Sequence, residues 1–118
     1  MENRRRLVRV EVNDFLELKP VNEVGKKLVA QSKDLTLMGV CFTSEAEWKK
    51  GQVLEINYFV PDELDSVQLK LVVVWSEFIG PEEGYFCGGE ILYVEEGKEK
   101  VFASYYFNKL QERYFRNE

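Results

Sequence analysis

Arginine is concentrated at the start of this chain. Four of its six arginines, Arg4, Arg5, Arg6 and Arg9, fall within the first nine residues, and no acidic residue lies between them. A guanidinium group forms planar, paired hydrogen bonds and stacks on flat rings, which an ammonium group does poorly. Guanine presents a matching pair of acceptors, and phosphate oxygens present another. The arginines therefore predict recognition of guanine or phosphate, although an arginine-rich start is by itself more typical of a solvated tail.

A second candidate motif is the segment Asp34-Leu35-Thr36-Leu37-Met38-Gly39. As structure it reads as a turn, in which Asp34 and Thr36 bond to the backbone and Gly39 allows an unusual conformation or a close approach. The same groups have a chemical use. A carboxylate accepts hydrogen bonds from guanine N1–H and N2–H, and a hydroxyl donates to a phosphate. Taken alone, the segment favours the turn interpretation.

Composition limits the kinds of chemistry that are available. The chain contains no histidine, which removes the commonest metal ligand and the usual general base. We therefore expect neither a metal site nor an enzyme. The net charge of −5 argues against non-specific binding to long nucleic acid. Cys41 and Cys87 lie in strand-like runs, and a reducing cytoplasm favours two buried thiols over a disulfide.

Short strands separated by turn residues make up most of the chain. The runs that read as strands are Phe15–Lys19, Lys27–Ser32, Gly39–Ser44, Gln52–Val60, Val67–Ile79 and Tyr85–Val94. Six such runs predict a mainly all-β chain whose strands close into an antiparallel barrel. We expect residues 1–14 to be a flexible arm that leads into a barrel over residues 15–94.

The last segment, from about Gly97 to Arg116, has the period of a helix. Ala103, Phe107, Leu110 and Tyr114 recur on one helical face. Val101, Phe102 and Tyr106 widen that face. Since an apolar stripe usually faces a core, the pattern predicts a C-terminal helix over residues 97–116 packed on the barrel by this face. A partner-binding helix is the alternative.

The arginine cluster and the segment from Asp34 to Gly39, considered together, favour ligand recognition over a solvated tail and a simple turn. A barrel preceded by R-x-x-x-R and carrying D-x-[S/T]-x-x-G between its second and third strands resembles the PilZ domain family. The likeness includes the strand Leu71–Trp75 and the stretch Tyr85–Ile91, and it extends over nearly the whole chain. The resemblance implies a six-stranded PilZ-type β-barrel with a C-terminal helix that binds cyclic di-GMP.

Carried over by position, the resemblance assigns six ligand-binding residues. Arg5 and Arg9 would hold guanine and phosphate, and Asp34, Thr36 and Gly39 would read a guanine edge. Thr36 departs from the serine usual in the family, but it keeps the hydroxyl. A basic residue at Arg4 goes with a stacked pair of ligand molecules in the family. The implied arrangement is a clamp whose arm closes on the turn.

The resemblance also suggests a role. We expect a stand-alone bacterial cytoplasmic receptor that binds cyclic di-GMP, uses no cofactor and presents a changed surface to an effector protein, with motility or biofilm regulation as family-level outputs. The chain shows no apolar run long enough to insert in a membrane. The alternative is a PilZ-like protein-interaction module that binds no nucleotide. An RNA-binding barrel and a carboxylate enzyme are further, less favoured interpretations.

Overall fold

The computed structural model describes residues 8–23, 25 and 27–115. These residues form seven strands and one helix, and side chains along the strands alternate between the inside and the outside of the fold. The strands are β1 Val10–Glu11, β2 Phe15–Pro20, β3 Leu28–Leu35, β4 Gly39–Ser44, β5 Val53–Val60, β6 Asp65–Gly80 and β7 Gly84–Val94. A single 3₁₀ turn, Pro61–Glu63, joins β5 to β6. The helix α1 spans Glu99–Phe115.

The six long strands close on themselves. Their order is β3-β2-β5-β6-β7-β4, every pair is antiparallel, and pairing of β4 with β3 completes the circle. This confirms the predicted six-stranded antiparallel barrel with a C-terminal helix. Closure leaves neither β3 nor β4 as an unpaired edge.

Large aliphatic and aromatic side chains fill most of the barrel. Those that are at most 2% exposed include Leu16 and Leu18 of β2, Phe42 of β4, Leu54, Ile56 and Tyr58 of β5, and Leu69 and Leu71 of β6. Both cysteines are buried and unpaired, as expected of two thiols. Among the described residues, no helix is long and apolar enough to cross a membrane.

The short strand β1 fixes the end of the arm. Val10 pairs with Leu35 and Glu11 pairs with Asp34, so β1 lies beside the last residues of β3, beyond the stretch of β3 that β2 pairs with. Val10 is fully buried. The segment expected to be flexible up to residue 14 is therefore part of the packed structure from Val10 onward, because Val10 contributes to the core.

The helix packs by a face that only partly matches the one predicted. Its buried side chains are Phe102, Tyr105 and Tyr106, whereas Phe107 and Tyr114 are 50% and 55% exposed. Burial of Phe102 and Tyr106 was predicted and is confirmed, whereas the prediction was wrong to include Phe107 and Tyr114 and to omit Tyr105. The phenol ring of Tyr105 can be buried because its hydroxyl has a buried acceptor, Asp14.

Candidate functional site

The structure brings four of the six predicted ligand residues to one side of the barrel. Arg4 and Arg5 lie outside the described residues. Arg9 comes directly before β1, and Asp34 lies near the end of β3. Thr36 belongs to the connection that leads into β4, and Gly39 is the first residue of β4. Strand pairing between β1 and β3 therefore places the end of the arm beside the acid and the turn.

Arg9 and Asp34 form a loose, partly exposed ion pair. Nη1 of Arg9 lies 3.7 Å from Oδ1 of Asp34, and the two side chains are 65% and 23% exposed. A pair at this distance and exposure contributes about 0–1 kcal/mol. Both groups can therefore be drawn to a ligand at small cost, and their opposite charges already lie in one site.

Two carboxylates lie opposite each other at the seam between β1 and β3. Glu11 and Asp34 are register partners, and like charges at such positions repel. Each carboxylate has its own arginine: Arg113 Nη1 lies 3.0 Å from Glu11 Oε1, and Arg9 lies beside Asp34. Because Arg113 of the helix pairs with Glu11, Arg9 is the counter-ion of Asp34.

Cys41 underlies this ion pair. It is the register partner of Asp34 on β4, and Nη1 of Arg9 lies 3.7 Å from its sulfur. Burial, followed by the charge of Asp34, raises the pKa of the Cys41 thiol to about 12. The thiol is therefore protonated at neutral pH and is neither a nucleophile nor a metal ligand in this state.

Thr36 organises the turn and retains a donor. Its Oγ1 accepts hydrogen bonds from the backbone N–H groups of Met38 at 2.9 Å and Gly39 at 3.1 Å. The backbone N–H of Thr36 donates to the carbonyl of Gly39 at 2.9 Å. A hydroxyl that accepts two bonds still has its own hydrogen to give. The turn therefore presents an O–H donor two residues after the Asp34 carboxylate.

Gly39 is required by a close approach between strands. A β-carbon built on Gly39 would lie 2.7 Å from the carbonyl oxygen of Gly89 on β7. Of the two roles expected for this glycine, the structure shows close approach, since its backbone φ is not among the positive values. Any side chain here would push the turn away from β7.

Trp75 extends the site across the barrel. Asp34 pairs with Cys41, Cys41 with Gly88, and Gly88 with Trp75, so the four positions form one outward row over β3, β4, β7 and β6. Three interstrand steps span roughly 14 Å. A β-carbon on Gly88 would overlap the Trp75 indole, so the ring lies directly against this glycine.

Trp75 was predicted only as part of a strand. Its ring meets that of Phe86 edge-on, with 5.1 Å between the ring centroids, and it is only partly exposed. The Gly88-Gly89 pair opposite a tryptophan-bearing strand is the signal that could have identified this surface, because glycine leaves room for a ring to lie on the backbone.

The helix holds the end of the arm. The Tyr106 hydroxyl donates to the backbone carbonyl of Val8 at 2.5 Å, and Arg113 pairs with Glu11. These contacts lie on either side of Arg9. Residues 8–11 are therefore held between α1 and β3. A displacement of Arg9 would alter the two contacts that the helix makes with this segment.

A buried polar cluster lies where the arm enters the barrel. Asp14 Oδ2 accepts hydrogen bonds from the hydroxyls of Tyr58 at 2.7 Å and Tyr105 at 2.5 Å. Ser32 bonds to both the Asp14 backbone and the Tyr58 hydroxyl. Burial first, and Asp14 second, raises the pKa of both tyrosines. Both phenols therefore stay neutral and keep donating to the carboxylate.

Within the described part of the chain, no group of His, Cys, Asp and Glu side chains is arranged to hold a metal ion. The chemistry that these groups can perform is recognition: the fork of Arg9, the carboxylate of Asp34 and the hydroxyl of Thr36 lie at one end of the outward row, and the aromatic ring of Trp75 lies at the other.

Comparison with known proteins identifies the fold. No protein-family model matches the sequence, and no curated protein matches it. Solved structures do match. The Bacillus subtilis inhibitor of motility MotI/DgrA has a TM-score of 0.75 and 14% identity, covering 93% of this chain and 53% of that chain.

Two structures solved with c-di-GMP are similar as well. The PilZ domain of YcgR from Escherichia coli has a TM-score of 0.70 at 15% identity and covers 97% of each chain. MrkH from K. pneumonia has a TM-score of 0.70 at 13% identity, covering 95% of this chain and 54% of that chain. This chain thus spans about half the length of MotI/DgrA and of MrkH. The chain has the fold of a PilZ-type domain.

Proposed function

We propose that this PilZ-type domain is a bacterial receptor for cyclic di-GMP, which it binds between the arginine-rich arm and the turn from Asp34 to Gly39. The observation that carries the proposal is the placement of Arg9 beside Asp34, 3.7 Å apart on the outer wall. Strand pairing brings these residues together although 25 positions of sequence separate them. The PilZ domain of YcgR and MrkH, both solved with c-di-GMP, share the fold.

The roles follow from the donors and acceptors of each side chain. Arg9 carries a fork that suits the O6 and N7 acceptors of guanine or a pair of phosphate oxygens. Asp34 accepts from the opposite guanine edge, N1–H and N2–H. The hydroxyl of Thr36 donates to a phosphate oxygen. We assign Arg4 and Arg5 to the same ligand on their sequence position alone.

Trp75 supplies a stacking surface at the far end of the row. A base that stacks on an aromatic side chain gains about 1–3 kcal/mol. The distance of roughly 14 Å from Asp34 to Trp75, three interstrand spacings, suits a ligand that carries two guanines. A stacked pair of ligand molecules, which Arg4 suggests, would also fit along such a row.

Both halves of the clamp are needed for useful affinity. Ordering each residue of an arm costs about 1–2 kcal/mol of backbone entropy, and each arginine–guanine contact returns about 1–3 kcal/mol. The entropic cost of ordering Arg9 is smaller, because β1 already holds it beside Asp34. Preorganised groups contribute more to affinity than groups that binding must order.

The same contacts give the receptor an output. If closure of the arm on the ligand shifts residues 8–11, the Tyr106–Val8 and Arg113–Glu11 contacts shift with them. The helix then takes a new position on the barrel. In this proposal the chain acts in the cytoplasm as an adaptor rather than as an enzyme, and an effector protein reads the changed surface.

Calorimetry tests the proposal directly. Cyclic di-GMP, GTP and a short RNA are titrated separately into the wild-type chain and into Arg9→Ala. We expect saturable binding of cyclic di-GMP alone, and loss of at least about tenfold in affinity for the variant, which is about 1.4 kcal/mol. Binding of RNA in preference to the dinucleotide would favour an RNA-binding barrel. No binding of any of the three would favour an interaction module.

A further inference from the structure

An open hollow of about 500 Å³ lies on the barrel wall just beyond the arm. The entry into β2, the end of β5 and the 3₁₀ turn after β5 form its sides, so it is separate from the outward row that ends at Trp75. Its lining includes Asp14, Phe15, Phe59 and Leu64.

Three large apolar side chains of this hollow are exposed. Phe15 is 62% exposed, Phe59 is 38% exposed and Leu64 is 94% exposed. Exposed apolar residues are ordinary when they are scattered singly, but several that share one depression are typical of an interaction site.

Leu64 is also held in an unfavourable backbone conformation. Its φ of 50° and ψ of 43° are in the left-handed region, which glycine or asparagine adopts at lower cost than leucine. Leucine at this position therefore suits neither the backbone nor the solvent. The conformation closes the 3₁₀ turn, because the Leu64 N–H donates to the Pro61 carbonyl at 3.2 Å. The exposed leucine side chain has no such role within the turn, and contact with a partner would account for it.

The charge around the hollow is acidic. Asp14 lies in its wall, and Asp62 and Glu63 are exposed on the 3₁₀ turn without an ion pair to any described residue. Asp62 is near enough to Tyr105 to contribute to the raised pKa of that phenol. Asp65 is neutralised by Lys98 at 2.9 Å. The hollow thus combines exposed apolar side chains with an acidic rim formed by Asp62 and Glu63 on the adjoining 3₁₀ turn.

We propose that this hollow is the docking site for a basic, amphipathic segment of a partner protein. An apolar side chain of the partner would lie among Phe15, Phe59 and Leu64, and its lysines or arginines would face Asp62 and Glu63. A second copy of this chain is a poor occupant, since the chain has a net charge of −5 and two acidic rims would repel.

This inference deepens the proposed function, because an adaptor needs a surface that its effector recognises. The lining of the hollow begins at Asn13, four residues after Arg9. Movement of the arm would therefore reach the docking site through the chain itself. Binding at the hollow and binding of the nucleotide use different residues and can be measured separately.

The test uses two synthetic peptides and the ¹⁵N-labelled full chain. One peptide is acetyl-Lys-Arg-Phe-Leu-Arg-Lys-amide, and the other replaces each basic residue by an acidic one. We expect the basic peptide to shift the amide resonances of Phe15, Phe59 and Leu64. Leu64→Asn, which keeps the backbone conformation and removes the apolar side chain, should weaken the peptide at least about fivefold.

Leu92→Asn is the matched control, since Leu92 is 56% exposed on β7 and does not line the hollow. It should leave peptide affinity unchanged. Equal shifts with the acidic peptide, shifts centred elsewhere, or unchanged affinity in Leu64→Asn would overturn the proposal. So would concentration-dependent shifts at the hollow without peptide, which would indicate a second copy. Cyclic di-GMP affinity should be the same in wild type and Leu64→Asn, so failure of the nucleotide site would be recognised separately.

Discussion

The hydroxyl of Tyr105 donates a hydrogen bond to the carboxylate of Asp14, joining the C-terminal helix to the start of the barrel across 91 residues of sequence. Tyr58 donates to the same oxygen from β5. One buried carboxylate therefore connects the segment that carries Arg9, the barrel interior and the helix. This cluster joins the helix, β5 and the segment that follows Arg9, and these are the elements that the proposed clamp must move relative to one another.

Removal of one of these donors should destabilise the fold. Tyr105→Phe keeps the buried ring but takes a hydrogen bond from Asp14, so we expect the free energy of unfolding to fall by about 1–3 kcal/mol. Urea denaturation followed by tryptophan fluorescence measures the change. Tyr114→Phe is the control, because Tyr114 is 55% exposed, and it should stay within about 0.5 kcal/mol of wild type.

Stability should fall at alkaline pH. The pKa values of Tyr58 and Tyr105 are raised, first by burial and then by Asp14. The folded chain therefore holds these protons more tightly than the unfolded chain, whose tyrosines titrate near about pH 10. Their stabilisation is complete below about pH 10 and is lost as pH rises beyond it.

Denaturation curves between pH 8 and pH 11 would measure this dependence, with Tyr105→Phe for comparison. Wild type should lose stability more steeply above about pH 10 than the variant, since the variant has one fewer shifted phenol. Parallel curves for the two proteins would contradict the role given to Tyr105.

Gly39 should tolerate no side chain. In Gly39→Ala the new methyl group would meet the Gly89 carbonyl at 2.7 Å, and we expect a loss of about 1–3 kcal/mol in unfolding free energy. The turn would also move away from Asp34, so cyclic di-GMP affinity should fall. Gly25→Ala is the control, since nothing lies within 4 Å of a β-carbon there. A Gly39→Ala protein as stable as this control would show that β4 and β7 can separate freely.

Thr36 separates the structural role of the turn from its chemical role. Thr36→Ser keeps the oxygen that accepts from Met38 and Gly39 and should retain affinity within about threefold, or less than 1 kcal/mol. Thr36→Val has a similar shape without the hydroxyl. It should destabilise the turn and weaken cyclic di-GMP binding. Chemical denaturation measures the stability of both variants, and calorimetry measures their affinity for cyclic di-GMP. Equal affinity of the serine and valine variants would remove Thr36 from the proposed site.

The strands could be predicted because their signals are local. Alternating apolar residues and turn residues located the six long strands to within about three residues of the ends observed, and Gly39–Ser44 was predicted with its observed bounds. The two-residue strand β1 has no such signal. It exists because Val10 is buried beside Leu35, a contact that only the folded barrel defines.

The parts that could not be predicted depend on distant partners. In the sequence, Asp14 is one acidic residue before a strand, and nothing distinguishes it. In the structure its carboxylate accepts hydrogen bonds from tyrosines 44 and 91 positions away. Tyr105 was left out of the buried helical face because the need for a donor to Asp14 is not visible in the sequence. Trp75 joins the outward row only through the register of β3, β4, β7 and β6.

The central claim is that Arg9 and Asp34 act together on one ligand. A calorimetric double-mutant cycle with Arg9→Ala, Asp34→Ala and the combined variant, titrated with cyclic di-GMP, tests it most directly. We predict that each single substitution weakens binding at least about tenfold, or 1.4 kcal/mol, and that the combined loss is clearly smaller than the sum of the two. Unchanged affinity in either single variant would contradict the account.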